Sequence, residues 1–450
     1  MAWLAAAASS SRSAPGDLAI QPSALSDAAT SHDLSFYHST TSLLDRFTAM
    51  AKGTRCAQRM QVSAIHDEAD PAFKLNTYTF ADGYAAQRPR RPKRVLLNFG
   101  AHGTELITSE VALQLALVLC GEAPSRFYGS VERSRLRINE LLADVEVMVV
   151  PVQVPASRML AERASGTCRS RRLNLHGVDV NRNWNVTWEL GDGHAGSDTY
   201  HGTAPFSEPE TRALARVAED WKPDLFADVH SGDRCAAAAA PRNSARNSAR
   251  HSARNFQPRR TLLRARPFLG RYVAMPFAGV SQGPKNATLR HAMRGALDAV
   301  ARMMGDQHAE QARGLQTGPA SAMGEEPAPK KGTALDYMFS KLGVQRAFLL
   351  EVYQAPSLSV RRALLAREPR MDMAAAALLE TAAGSPASPE APVKEHFAGE
   401  KGLALLADDP TASFDCISTF NPTRQAEYEK VVAAWTDALL VLVNQSTVPL

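Results

Sequence analysis

The sequence predicts an α/β fold, a single domain with a central sheet flanked by helices and broken by two low-complexity insertions. Three observations carry this. Short apolar runs alternate with helix-length periodic segments along most of the chain, the pattern of one sheet packed between helices. The 450 residues at 45% hydrophobic content can bury one large core or two ordinary ones, and the alternation argues for one. Finally, residues 236–270 and 354–409 have compositions that cannot bury a core.

In chain order, residues 1–30 read as a disordered or targeting tail, because the stretch after Met1 is too short for the apolar centre of a secretory signal. The domain is expected over 31–446. Residues 34–50 form an amphipathic helix, and 61–80 and 94–99 read as strands. Over 105–120, Leu106, Ile107, Val111, Leu115, Val118 and Leu119 recur at the spacing of one buried helical face. Residues 144–152 are nearly all apolar, as in a strand covered on both sides. A helix over 208–220 is expected to open at Ser207, with acids in its first turn. Strand 224–230, helix 286–304, strand 346–352 and an amphipathic helix over 423–443 complete the pattern.

The net charge of +5 does not indicate a nucleic-acid partner. Residues 241–267 alone hold eight arginines and no acid, in four-residue repeats beginning Arg242-Asn243-Ser244-Ala245, and the rest of the chain is slightly acidic. This stretch reads as a solvated insertion. The second insertion is rich in Ala, Pro and Glu, with an Ala-rich helix expected over 371–382. No apolar run approaches the roughly 20 residues that span a bilayer, so no membrane span is expected. Five cysteines, Cys56, Cys120, Cys168, Cys235 and Cys416, are widely spaced without a paired metal motif, which allows one or two disulfides and leaves an odd thiol. They do not decide the compartment; the expectation is a secreted or organelle-lumen protein rather than a cytoplasmic one.

Chemistry concentrates at His102-Gly103-Thr104-Glu105, between strand 95–99 and the helix that follows, and at His230-Ser231, which ends another strand. Two imidazoles and one carboxylate are the ligand set of a hydrolytic zinc site that keeps a position open for water. A His followed three residues on by an acid is weak evidence alone, since His176 to Asp179 and His230 to Asp233 share the spacing. Position separates them: a glycine turn between strand and helix holds His102 and Glu105 at the carboxyl end of a sheet strand, where open α/β sheets bind ligands.

Six blocks in order then resemble a known family: Phe99-Gly100-Ala101-His102-Gly103-Thr104-Glu105, Gly177-Val178-Asp179-Val180-Asn181-Arg182-Asn183-Trp184, Gly202-Thr203-Ala204-Pro205-Phe206-Ser207-Glu208, Asp228-Val229-His230-Ser231-Gly232, Gly332-Thr333-Ala334-Leu335-Asp336-Tyr337 and Ala347-Phe348-Leu349-Leu350-Glu351-Val352-Tyr353. The chain resembles the carboxypeptidase A-like zinc metallocarboxypeptidases, most closely their plant and algal members. The resemblance implies a mixed central sheet flanked by helices, and one Zn2+ per chain on His102, Glu105 and His230. It implies Glu351 as general base, Arg172 as the oxyanion arginine with Arg169 second and Arg171 nearby, and Asn181 and Arg182 as the grip on a substrate's terminal carboxylate. Leu335 corresponds to the base of the side-chain pocket, which points to aliphatic or aromatic C-terminal residues.

The implied partners are peptide or protein C-termini, with no statement about oligomeric state. Two departures stand out. The position of the family's substrate-covering tyrosine is Ala328, and the arginine-rich insertion interrupts the segment after His230. Alternative readings are deglutamylase-like processing of acidic tails and a catalytically weak chain-end binder.

Overall fold

The computed structural model describes residues 34–83, 90–163, 167–190, 193–232, 272–275, 287–313, 315–319, 330–355 and 416–449. The tail 1–30, the insertion 236–270, all but two residues of 354–409, Cys235, Asp233 and Ala328 lie outside the described residues.

Among the described residues, eight strands make one mixed sheet: β1 (Met60–His66), β2 (Lys74–Phe80), β3 (Lys93–Phe99), β4 (Val145–Val150), β5 (Leu225–His230), β6 (Tyr272–Met275), β7 (Gln316–Pro319) and β8 (Arg346–Glu351), in the order β1-β2-β4-β3-β5-β8-β6-β7. The four central strands β4, β3, β5 and β8 are mutually parallel, while β1, β2 and β6 join antiparallel neighbours. The carboxyl ends of β3, β5 and β8 therefore emerge together on one edge.

Strand side chains alternate between faces, and here both faces are covered. Val95, Leu97 and Phe99 of β3, Leu225, Ala227 and Val229 of β5, and Phe348 and Leu350 of β8 join one core cluster; Leu96, Phe226, Ala347 and Leu349 join another. Asn98, Asp228 and His230 share the parity of Leu96 and Phe226, and Glu351 that of Ala347 and Leu349. The ladder pairs Asn98 with Asp228 and His230 with Glu351. Four polar side chains thus stand on one face of the sheet, towards its carboxyl end.

Helices α1 (Thr40–Lys52), α2 (Leu106–Leu119), α3 (Val131–Asp144), α7 (Ala287–Gln307) and the last helix (Gln425–Gln445) supply the first cluster. Helices α6 (Pro209–Trp221) and α9 (Ala334–Ser340), with Trp184, supply the second. Three short helices, α4 (Pro155–Glu162), α5 (Cys168–Arg172) and α8 (Ala309–Ala312), lie in the connections. In the final segment, α10 (Cys416–Phe420) precedes the last helix, α11.

Several boundaries depart from the sequence reading, each for a local reason. Helix 34–50 starts only at Thr40, because Ser39 accepts the Ser42 N–H at 3.1 Å and caps it. The 61–80 strand is broken by a turn in which Asp67 accepts the Asp70 N–H at 2.8 Å and pairs with Arg212 at 2.7 Å. Helix α3 escaped the periodicity reading because only Ser134, Ile138, Leu141 and Leu142 are buried. Helix α2 is buried on every side, with Gln114 and Leu117 its only half-exposed residues, so its apolar positions are not a single face. Ser207 does not cap α6: Glu208 occupies that position, and the Ser207 hydroxyl donates to Glu208 Oε1 at 2.6 Å while accepting from Asn183 at 2.9 Å.

Two disulfides join distant segments. Cys56–Cys120 ties the end of α1 to the end of α2, and Cys168–Cys416 ties α5 to α10 across 248 residues. Each bridge restricts the unfolded chain more than the folded one. The Cys56→Ser/Cys120→Ser double variant is expected to lose about 2–4 kcal/mol of unfolding free energy, read from denaturant midpoints under non-reducing conditions. Midpoints identical to the parent's would refute the bridge.

Candidate metal centre

The turn after β3 requires glycine twice. Gly100 adopts φ +62, a left-handed conformation that glycine takes without strain. At Gly103, an added Cβ would collide with the Arg171 carbonyl and with the Ser157–Arg158 backbone. The Gly103 N–H donates to Arg172 O at 3.2 Å, so this close approach seats α5, and the guanidinium it carries, against the loop that ends in Glu105.

His102, Glu105 and His230 converge. His102 Nδ1 lies 2.7 Å from Glu105 Oε1 and His230 Nδ1 lies 3.2 Å from Glu105 Oε2, with one ligand atom from each residue within 4.8 Å of the others. All three are buried. Among the described residues this is the one group of three or more His, Cys, Asp or Glu side chains suited to a metal.

The opposite ring nitrogens show how well the group fits an ion. His102 Nε2 meets Asp179 Oδ1 at 3.0 Å, and His230 Nε2 meets Asp228 Oδ2 at 2.9 Å. A carboxylate on Nε2 holds the proton there and leaves the Nδ1 lone pair facing Glu105, the tautomer a metal needs. Asp228 is itself held by Asn98, whose amide donates to Asp228 Oδ1 and to Gln153 Oε1, both at 2.8 Å. Arg172 and Arg182 add positive charge beside Asp179.

The protonation of the group follows from these contacts. Burial tends to raise the Glu105 carboxyl, but the facing His102 and His230 hold it well below the usual carboxylate range. Burial is likewise outweighed at Asp179, where Arg182, His102 and Arg172 keep the carboxyl ionised. Burial lowers His230, yet Asp228 and Glu105 together raise it well above an ordinary imidazole.

The remaining candidates fall around this centre with different engagements. Arg172 donates to Glu105 Oε1 at 3.1 Å and lies 3.4 Å from Asp179 Oδ2. Arg169 instead bridges Ser197 O and Gly177 O and sits 3.7 Å from Asp198, while Arg171 presents its backbone carbonyl to Gly103. The Arg172 guanidinium thus reaches the metal donors.

Asn181 Oδ1 accepts the Ala334 N–H at 2.9 Å, which fixes the amide and turns Nδ2 towards His230 Nε2 at 3.2 Å. Both nitrogens are donors once Asp228 holds the imidazole proton, so that approach is a contact rather than a hydrogen bond. Arg182 donates to the Asn181 carbonyl at 2.7 Å and pairs with no carboxylate among the described residues. Gly332, at φ +65, packs so tightly on the Arg182 carbonyl that a side chain there would clash. This contact stitches α9 to the Asn181–Arg182 turn. Leu335, the second residue of α9, is fully buried in the second core cluster. Glu351 is buried beside His230 in the β5–β8 ladder.

Sequence reasoning missed the residues that orient the ligands. Asp179 was counted only as the acid of the His176 pair; His176 in fact turns outward to Glu208 at 2.6 Å, and Asp179 turns inward to His102. Asp228 was legible: an Asp-x-His on a strand puts both side chains on one face.

Residues 54–365 match the family model described as zinc carboxypeptidase. The chain belongs to the zinc carboxypeptidase family. Similar proteins include the inactive metallocarboxypeptidase ecm14 of Talaromyces stipitatus, 28% identical over 189 residues, which cover 39% of this chain and 30% of that one. Carboxypeptidase A2 of Mus musculus is 28% identical over 146 residues, covering 30% of this chain and 33% of the relative. The matches thus span about a third of these relatives' length. Carboxypeptidase A from Helicoverpa armigera shares the fold, with a TM-score of 0.50 at 16% identity over 70% of this chain and 64% of that one. Zn2+ is the metal the family implies, and His102, Glu105 and His230 are the group able to hold it. The expected closeness to plant and algal members gains no support from these relatives.

Because His230 keeps its proton well above the ordinary imidazole range without metal, Zn2+ must expel that proton to bind. Affinity is therefore expected to fall as pH is lowered and rise as it is raised, by up to about tenfold per unit where one proton is displaced. Chelator competition between pH 6 and 8, with proton release followed in weak buffer, measures this. A flat affinity without proton release would contradict the assignment.

Proposed function

We propose that this chain is a zinc-dependent metallocarboxypeptidase that hydrolyses C-terminal residues from peptides or proteins. The observation that carries the reading is the convergence of a metal-ready His102–Glu105–His230 group with Glu351, Arg172, Asn181 and Arg182 at one sheet edge. When bound, Zn2+ supplies a Lewis acid and lowers the pKa of a water to about 7. Glu351, alongside His230, takes the proton of the attacking water and returns one to the leaving amine. Arg172, which donates to Glu105, donates to the carbonyl oxygen as negative charge develops on it.

Arg182 and the Asn181 amide hold the substrate's terminal carboxylate, for which a planar guanidinium offers paired donors. Arg182 makes no direct ion pair among the described residues, although its charge acts on the buried Asp179 carboxyl. Leu335 is itself fully buried in the second core cluster and backs the side-chain pocket with an uncharged residue rather than lining it. The two disulfides support an oxidising compartment, secreted or lumenal. The name of the Talaromyces stipitatus relative raises a chain-end binder without turnover; the complete donor set and Glu351 favour hydrolysis. No described helix is long and apolar enough to cross a membrane.

Replacing Glu351 by Gln is expected to lower kcat about 10²–10⁴-fold while zinc content stays at the parent level. Chelator-sensitive release of C-terminal residues from a peptide panel tests the activity itself, and its absence in zinc-loaded protein would leave the binder reading. On that panel, peptides ending in Leu or Phe are expected to outpace those ending in Lys or Arg; the reverse order removes Leu335 from its role. Arg182→Ala is expected to raise KM about 10–100-fold, the worth of a lost charge-assisted hydrogen bond, with a smaller effect on kcat.

A further inference from the structure

Glu105 occupies the N-cap position of α2, with φ -93 and ψ 57, yet its side chain makes no capping hydrogen bond. An N-cap side chain normally accepts one of the helix's first free N–H groups. The Glu105 carboxylate is directed elsewhere, to His102, His230 and the Ser231 N–H at 3.1 Å. The cap is supplied from the other end of the chain. Asn421, immediately after α10, accepts the Ile107 N–H on Oδ1 at 2.9 Å, and its Nδ2 donates to Thr104 O at 2.8 Å and Ile417 O at 2.9 Å. The side chain is fully buried, and its two ends bracket Glu105 on both sides.

The same segment touches the other two parts of the centre. Phe420 packs its ring on Gly232 so closely that no side chain fits there, two residues beyond His230. Cys416 is bonded to Cys168 in α5, the helix that carries Arg172. A six-residue stretch after the second insertion thus braces the 102–107 loop, the 230–232 loop and α5.

We propose that Asn421 is a positioning residue for the metal centre: by capping α2 in place of Glu105, it leaves that carboxylate free to serve as a metal ligand. Without the amide, the Ile107 N–H loses its acceptor at the positive end of a helix, where a carboxylate is the favoured partner. The nearest carboxylate along the chain is Glu105 itself. Its rotation towards the helix opposes its alignment with the two imidazoles, so the cost falls on metal affinity. The inference rests on the assignment of His102, Glu105 and His230 as the metal ligands.

The test compares the parent chain with Asn421→Ala and Asn421→Asp, each stripped of metal and checked by near-ultraviolet circular dichroism. Zn2+ affinity is read by chelator competition, and ligand geometry from the visible spectrum of the Co2+-substituted protein. Asn421→Ala is expected to bind Zn2+ about 10–100-fold more weakly, with an altered Co2+ spectrum. Asn421→Asp retains an acceptor for Ile107 and is expected to restore affinity to within a few-fold of the parent. Parental affinity and spectrum in folded Asn421→Ala would overturn the proposal, as would equal losses in both variants. If Asn421→Ala does not fold, Asn421→Asp decides alone: affinity near the parent's supports the cap, and a tenfold loss overturns it. A parent chain that takes up no Zn2+ would remove the metal assignment, and this inference with it.

Discussion

One buried carboxylate, Glu105, faces two buried imidazoles, and much of the surrounding structure serves to make that contact tolerable. A charge removed from water costs several kcal/mol unless its partners are preset. Here four partners come from three segments: His102 in its own loop, His230 and the Ser231 N–H from β5 and just beyond, and Arg172 from α5. His230 and Ser231 reach Glu105 only because the parallel strands β3 and β5 end at the same edge, and Arg172 only because α5 sits against Gly103.

The next layer follows from the same constraint. Each imidazole is backed by a carboxylate, Asp179 or Asp228, and each of those is held in turn, by Arg172 for the first and Asn98 for the second. Such a network is favourable only when every member is satisfied. The carboxylates of Asp228 and Glu105 that suit His230 to a cation also raise its affinity for a proton. Electrostatics and coordination chemistry therefore describe one arrangement from two sides.

Much of the fold was legible because it rests on local patterns. The apolar runs at β3, β5 and β8 are short, dense and rich in branched residues, and the structure places strands within a residue or two of the expected bounds. Where the reading failed, a side chain had a partner far along the chain. Asp67 breaks the expected 61–80 strand with Arg212, 145 residues away, and the Ser207 hydroxyl accepts from Asn183 instead of capping α6. Helix α3 packs too few apolar residues to announce itself.

Residue types and strand-end positions were enough to bring His102, Glu105 and His230 forward as a candidate ligand set, and the family resemblance added Glu351. Tertiary structure alone decided why Asp179 belongs to His102 rather than His176, and how Asn421 caps a helix 314 residues earlier. The reason is physical. Alternation along a strand is a property of neighbouring bonds, whereas a hydrogen bond between distant segments exists only after the sheet has set its register and the glycine turns have let backbones approach.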